Sequence, residues 1–231
     1  MIRAVFFDLG WSLVKPSSGD LTFTELFFQM YPEMHLDDVR TDRFQKSFAR
    51  AYQPLMENPL MKDVDEQIRR YRIFFETFLS DYGLSYTDEI VTRLAEDISK
   101  NDANMKLLDH AEETLQYLKE KGFHLGIISD TWPNIITQLD ALHITQYFDH
   151  KTYSFQLGTN KPSPMMFQDA LDHCKYLPRE CVFVEDIPAN LEAAEKFHIN
   201  AVQSIANPHC VKDERFPSIH HPGELIQLLE R

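Results

Sequence analysis

The sequence predicts an α/β protein: a doubly wound parallel sheet with a bundle of helices inserted after its first strand. Three observations predict it. Short apolar runs end in polar groups at Asp8, at Ser129-Asp130 and at Glu185-Asp186. From about Leu107 onward, apolar runs alternate with helical patterns, as in a parallel sheet covered on both faces. Between those regions, up to about Asn104, apolar residues recur at spacings of three and four, and no convincing strand is present.

The first element is Ala4-Val5-Phe6-Phe7, which reads as a strand buried on both faces and ends in Asp8. Leu9, Gly10 and Trp11 turn the chain, and Lys15-Pro16-Ser17-Ser18-Gly19-Asp20 is a polar break. Four helical stripes follow: Phe23, Leu26, Phe27 and Met30; Phe44, Phe48 and Tyr52; Val64, Ile68, Tyr71, Phe75 and Phe78; Ile90, Leu94 and Ile98. Asp109 is the expected cap of a helix through Glu120, with Gly122 as its stop. His124 to Ile128 is a strand, and a helix follows Ser129-Asp130-Thr131 to about Leu142. Lys151 to Phe155 reads as a short strand, Pro164 to His173 as a helix, and Cys181 to Val184 as a strand. Ala189 to Phe197 is a helix, Ile199 to Gln203 a strand, and Glu224 to Leu229 a last short helix.

Composition narrows the function. A net charge of −13 over 231 residues argues against nucleic acid and anionic membranes. Any phosphate site must therefore make its own positive field from a lysine, a metal or a helix N-terminus. Cys174, Cys181 and Cys210 are odd in number and lack metal-ligand spacing, so reduced thiols and a cytoplasmic protein are expected. The N-terminus does not read as a signal peptide. No apolar run approaches the ~20 residues of a membrane span.

In a parallel sheet the polar strand ends share one edge, where open α/β sheets bind ligands. Asp8, Ser129 and Asp186 would meet there with Lys161 from the connection Gly158-Thr159-Asn160-Lys161-Pro162. Clustered carboxylates repel. A hard divalent cation relieves that and takes substrate oxygens as well, so this set points to phosphoryl chemistry.

These residues also carry a family resemblance. FFDLGWSLV, IISDT, GTNKPSP and FVEDIPANLEAA resemble, in order and spacing, the four motifs of the haloacid dehalogenase superfamily, in its subgroup with a helical (C1-type) cap. The resemblance implies a Rossmann-like core at 1–15 and 105–231 and a helical cap at 16–104. It implies a Mg²⁺-dependent phosphatase acting on a small phosphorylated metabolite, as a monomer or homodimer. Asp8 would be the nucleophile, Ser129 and Lys161 would hold the phosphoryl group, and the backbone at Leu9, Gly10 and Trp11 would cradle developing charge. Asp8, Asp186 and the Gly10 carbonyl would bind Mg²⁺, with Glu185 on the metal or its waters.

Each residue has a plainer reading too. Strand-end aspartates are often turn formers, Lys161 alone would be a surface lysine, and Trp11 could simply cover the core. Ser129 is expected on phosphate and Asp130 chiefly as a helix cap, with a second part in substrate binding. The ten histidines form no ligand pattern.

One departure matters. Most phosphatases of the superfamily carry a second aspartate two residues after the nucleophile, as general acid and base; here that residue is Gly10. Slow turnover of unactivated alkyl phosphates is therefore expected. Three rivals stay open: a metal-free dehalogenase with Asp8 attacking carbon, a phosphonate hydrolase needing a Schiff-base lysine such as Lys15 or Lys46, and a non-catalytic binding module.

Overall fold

A computed structural model describes residues 1–230. The described residues form eight strands: β1 (Ala4–Phe7), β2 (Val14–Pro16), β3 (Met105–Leu107), β4 (His124–Ser129), β5 (His150–Tyr153), β6 (Cys181–Glu185), β7 (Asn200–Ser204) and β8 (Ser218–Ile219). Six of them make one parallel sheet in the order β5-β4-β1-β6-β7-β8. The central strand is β1, with Ala4 opposite both His124 and Cys181. Every residue of β1 is buried, because helices cover both faces. The β-branched and aromatic run AVFF suits that position.

Ten α-helices among the described residues accompany the strands. Four lie between β2 and β3: α1 (Glu25–Met30), α2 (Asp42–Glu57), α3 (Val64–Tyr82) and α4 (Asp88–Lys100). Six follow: α5 (Ala111–Glu120), α6 (Ile135–Ala141), α7 (Ser154–Leu157), α8 (Pro164–Asp172), α9 (Pro188–Lys196) and α10 (Glu224–Leu229). Thr41, Asp63 and Thr87 cap α2, α3 and α4 by accepting the third-residue N–H. Three of the four predicted helical stripes meet at Phe23, which lies just before α1 and whose ring is 4.6 Å from Phe27 and 4.8 Å from both Phe44 and Phe78. Such pairs add ~0.5–1.5 kcal/mol each beyond the area they bury.

The two chain crossings into and out of this helical segment are zipped together. β2 and β3 pair antiparallel, with Val14 opposite Leu107 and Pro16 opposite Met105. A second tie is a buried amide pair. Gln67 of α3 donates to Asn134 Oδ1 at 3.0 Å and accepts the Asn134 N–H at 3.1 Å. Asn134 also donates to the Ile98 carbonyl at 3.1 Å.

Several local expectations are corrected. Asp109 does not cap α5, which starts after His110 in the left-handed region; Asp109 instead pairs with Lys15 at 3.7 Å. Asp130 does not cap α6, because an irregular turn delays that helix to Ile135. The strand expected over Lys151 to Phe155 stops at Tyr153, and the chain coils into α7 up to Gly158 at φ 68°. β2, β3 and β8 have two or three residues each and leave no periodic trace.

Gly126 of β4 faces Phe6, and a Cβ there would lie 2.7 Å from the Phe6 ring. Phe6 is fully buried and has no room to retreat. We expect Gly126→Ala to destabilise the protein by ~1–3 kcal/mol, read as a lower urea midpoint with an unchanged slope. An unshifted midpoint would show that the sheet can flex there.

Candidate active site

The carboxyl ends of β1, β4 and β6 bring the predicted residues together. Asp8, Ser129, Asp130, Lys161, Glu185 and Asp186 line one cavity of about 230 Å³ with Leu9, Gly10 and Trp11. The helical segment closes its other side with Tyr52, Gln67, Tyr71 and Ile98.

At the centre is the Lys161 ammonium, almost wholly buried. It donates to Asp8 Oδ1 at 2.7 Å and to Glu185 Oε2 at 2.5 Å. Burial alone pulls this ammonium down, but the charges of Asp8, Glu185 and Asp130 outweigh it and hold it above the ordinary lysine range. Asp130 sets the lysine's position by accepting the Lys161 backbone N–H at 2.9 Å.

Glu185 is fully engaged. Its Oε1 accepts the N–H groups of Asp186 and Ile187, and its Oε2 accepts Lys161 and Asn190. Four donors fill its four lone-pair positions. Burial raises this carboxyl, yet Lys161 and the hydrogen bonds prevail and hold it below its usual value. Asp8 and Asp186 fare differently. Burial pushes Asp8 up to about 7 despite Lys161. Burial, Glu185 and the charge of Asp8 push Asp186 up to about 9.

The free valences face the cavity. Asp8 Oδ2 and the Ser129 hydroxyl take part in no hydrogen bond among the described residues, nor do the backbone N–H groups of Leu9 and Gly10. The Trp11 N–H is spent on the Val14 carbonyl at 2.7 Å. Trp11 sits at φ 56°, its carbonyl held by the Ser204 hydroxyl at 2.6 Å. The Leu9 side chain is buried in the core, so only its backbone reaches the site.

The donor set fits a hard cation. Carboxylate oxygens of Asp8, Glu185 and Asp186 lie within 4.8 Å of one another, and one ammonium does not neutralise them. Asp8 and Asp186 have open oxygens, and the Gly10 carbonyl accepts no backbone hydrogen bond among the described residues. Oxygen ligands with surplus negative charge are what Mg²⁺ or Ca²⁺ binds. Glu185 has no lone pair left to join them.

Sequence reading missed the residues that the helical segment contributes. Tyr52 and Tyr71 belong to stripes that also build the aromatic core, and periodicity does not separate the two duties. Asn190 lies within the fourth motif, where relatives of the superfamily often carry a further aspartate, but its contact with Glu185 follows only from the first turn of α9.

The profile of the haloacid dehalogenase-like hydrolases matches residues 24–203. The chain belongs to this family. Among relatives, the bifunctional epoxide hydrolase 2 of Rattus norvegicus is 35% identical over 82 residues, 33% of this chain and 15% of that protein. The chain thus spans a small part of that relative. The glyceraldehyde 3-phosphate phosphatase of Pyrococcus furiosus is 26% identical over 193 residues, 80% of this chain and 72% of that one. In fold, the L-2-haloacid dehalogenase of Xanthobacter autotrophicus with chloropropionic acid covalently bound matches at a TM-score of 0.69 and 15% identity, covering 100% of this chain and 99% of that one. The likeness to the dehalogenase structure is one of fold, and the family is set by the match over residues 24–203. No helix among the described residues is long and apolar enough to cross a membrane.

The shifted carboxyls of this hydrolase set a pH dependence. A carboxyl raised on folding binds its proton more tightly folded than unfolded, so stability falls as pH climbs through the folded value. We expect the metal-free melting temperature to fall as pH rises from the ordinary aspartate value of 3.8 through about 7 and about 9. Glu185 acts in the opposite sense, adding stability above its ordinary value. Added Mg²⁺ should restore the melting temperature most at the alkaline end. A curve identical with and without Mg²⁺ would contradict this account of the cluster.

Proposed function

We propose that this hydrolase is a Mg²⁺-dependent phosphatase that cleaves a small phosphate ester through an aspartyl-phosphate on Asp8. The charge of the cavity carries the reading. Its lining holds five carboxylates, those of Asp8, Asp20, Asp130, Glu185 and Asp186, and the single cation Lys161, with no arginine or histidine. Lys161 is already shared between Asp8 and Glu185. An anionic substrate gains a counter-charge here only by arriving with a divalent cation. That favours a phosphate ester over a metal-free attack on a 2-haloacid, whose carboxylate would meet no free cation. The phosphonate reading needs a lysine near the reacting carbon. Lys15 and Lys46 do not line the cavity, and Lys46 is exposed on α2. The name of the Pyrococcus furiosus relative supports a phosphatase as well.

In this reading Asp8 Oδ2 attacks phosphorus while Lys161 holds Oδ1 and steadies the carboxylate. The Ser129 hydroxyl and the N–H groups of Leu9 and Gly10 hold phosphoryl oxygens as charge develops. Asp8, Asp186 and the Gly10 carbonyl hold the cation, which when bound supplies charge neutralisation to the phosphoryl group. Glu185 positions Lys161, and Asp130 fixes the loop that carries it. Residues 16–104 act as a cap over a core of 1–15 and 105–231, excluding water and choosing the substrate. Trp11 lies where that cap meets the core. A cytoplasmic monomer or homodimer without nucleic-acid or membrane partners completes the proposal.

The test is phosphate release from sugar phosphates, acyl phosphates, nucleotides and p-nitrophenyl phosphate. We expect release with Mg²⁺, none with EDTA, and a loss of at least ~10³-fold in Asp8→Asn. Halide release from a 2-haloacid in EDTA would establish the dehalogenase instead. Mg²⁺ binding without turnover of any substrate would establish the binding module.

A further inference from the structure

Resting on the phosphatase reading, we infer that Asp20 is the general acid and base that Gly10 cannot be. Two protons must move in the proposed reaction, one to the leaving oxygen and one from the attacking water. The cavity offers few groups to move them. Asp8 is the nucleophile and Asp186 a cation ligand in this reading. Glu185 has no free lone pair. Asp130 also keeps Oδ2 free while Oδ1 accepts the Lys161 N–H, but neither it nor its chain neighbours border the space that Gly10 leaves, as Leu21 beside Asp20 does. Lys161 is locked between two carboxylates. Tyr52 and Tyr71 are buried phenols, far too weakly acidic near neutral pH. Asp20 remains.

Its setting matches the task. A Cβ on Gly10 would meet Leu21 Cδ1 at 3.5 Å and Asp8 Oδ2 at 3.9 Å. The space an aspartate at position 10 would fill is thus bounded by the loop that carries Asp20. Asp20 lines the same cavity as Asp8. Its Oδ1 accepts the N–H groups of Thr22 and Phe23, both at 2.8 Å, and its own N–H is held by the Ser18 hydroxyl at 3.2 Å. Oδ2 accepts no hydrogen bond among the described residues. The loop therefore fixes the carboxyl through one oxygen and leaves the other for chemistry. Burial raises the carboxyl above its ordinary value, the direction an acid working near neutral pH requires.

The steps balance. As Asp8 Oδ2 bonds to phosphorus, the ester P–O bond breaks, its electron pair goes to the leaving oxygen, and that oxygen takes the proton of Asp20. Asp20, now a carboxylate, takes a proton from water as the water oxygen bonds to phosphorus. The Asp8–phosphorus bond breaks, its electron pair returns to Asp8, and phosphate leaves with Asp20 protonated again. With Asp20 in this role, the slow alkyl-ester turnover expected from Gly10 no longer follows.

The experiment compares wild type with Asp20→Asn on glycerol 2-phosphate and p-nitrophenyl phosphate in Mg²⁺. Asparagine keeps the Oδ1 that holds the loop, and Asp20→Ser keeps a hydroxyl for the same turn should the first variant unfold. On glycerol 2-phosphate, kcat/KM should fall by ~10²–10⁴-fold. The p-nitrophenyl ester, whose leaving group needs no proton, should lose far less in kcat/KM. It should instead show a burst of p-nitrophenolate followed by slow turnover, as phosphorylated Asp8 accumulates. Equal losses on both esters without a burst, or no loss on either, would overturn the assignment to Asp20 while leaving the phosphatase intact. A wild type that releases phosphate from neither ester nor from any sugar phosphate, acyl phosphate or nucleotide would overturn the phosphatase reading and this inference with it.

Discussion

One buried ammonium organises the site. Lys161 sits between Asp8 and Glu185 at hydrogen-bond distance from both, and each of the three charges would be strongly unfavourable alone at that depth. Losing one member of such a buried set typically costs ~3–5 kcal/mol, so the three stand or fall together. The arrangement is asymmetric. Glu185 is saturated by backbone and side-chain donors and behaves as a fixed anion. Asp8 is held by one oxygen only. Lys161 is therefore aimed by Glu185 and Asp130, and what it aims at is Asp8. The oxygens left open on Asp8 and Asp186 give the cavity the donor set of a hard-cation site.

The helical segment supplies the other half of the cavity by different means. Its interior is a cluster of aromatic rings around Phe23, which needs no polar partners and is continuous with the apolar core on one face of the sheet. It contacts the core through the short β2–β3 ribbon and through Gln67 with Asn134. Both links end beside the cavity, because Gln67, Asn134 and Met105 all line it. A substrate that fills the cavity thus touches the joints between the two halves as well as the reacting groups.

Much of this was legible in the sequence. Strand-end acids, alternating elements and helical stripes predicted the parallel sheet and the inserted helices, because each reflects burial on a known period. Asp8, Ser129, Lys161, Glu185 and Asp186 do meet at one sheet edge, since parallel strands place their carboxyl ends together. What periodicity does not carry is the third dimension of the loops. The turn from Thr131 to Asn134, the saturation of Glu185 and the position of Asp20 all depend on side chains distant in sequence. Tyr52 and Phe48 share a stripe, but only Tyr52 lines the cavity that holds Asp8 and Lys161.

The central place of β1 has a consequence for how the chain is made. Its partners lie far along the sequence: Ala4 waits for His124 on one side and for Cys181 on the other. At a synthesis rate of ~5–20 residues per second, the second partner emerges roughly ten to forty seconds after the first strand. The intervening helices contact near neighbours and have little loop entropy to overcome, so they form early. Until β4 emerges both edges of β1 are unpaired, and until β6 emerges one of them still is, so the nascent chain depends on shielding that its finished form never needs.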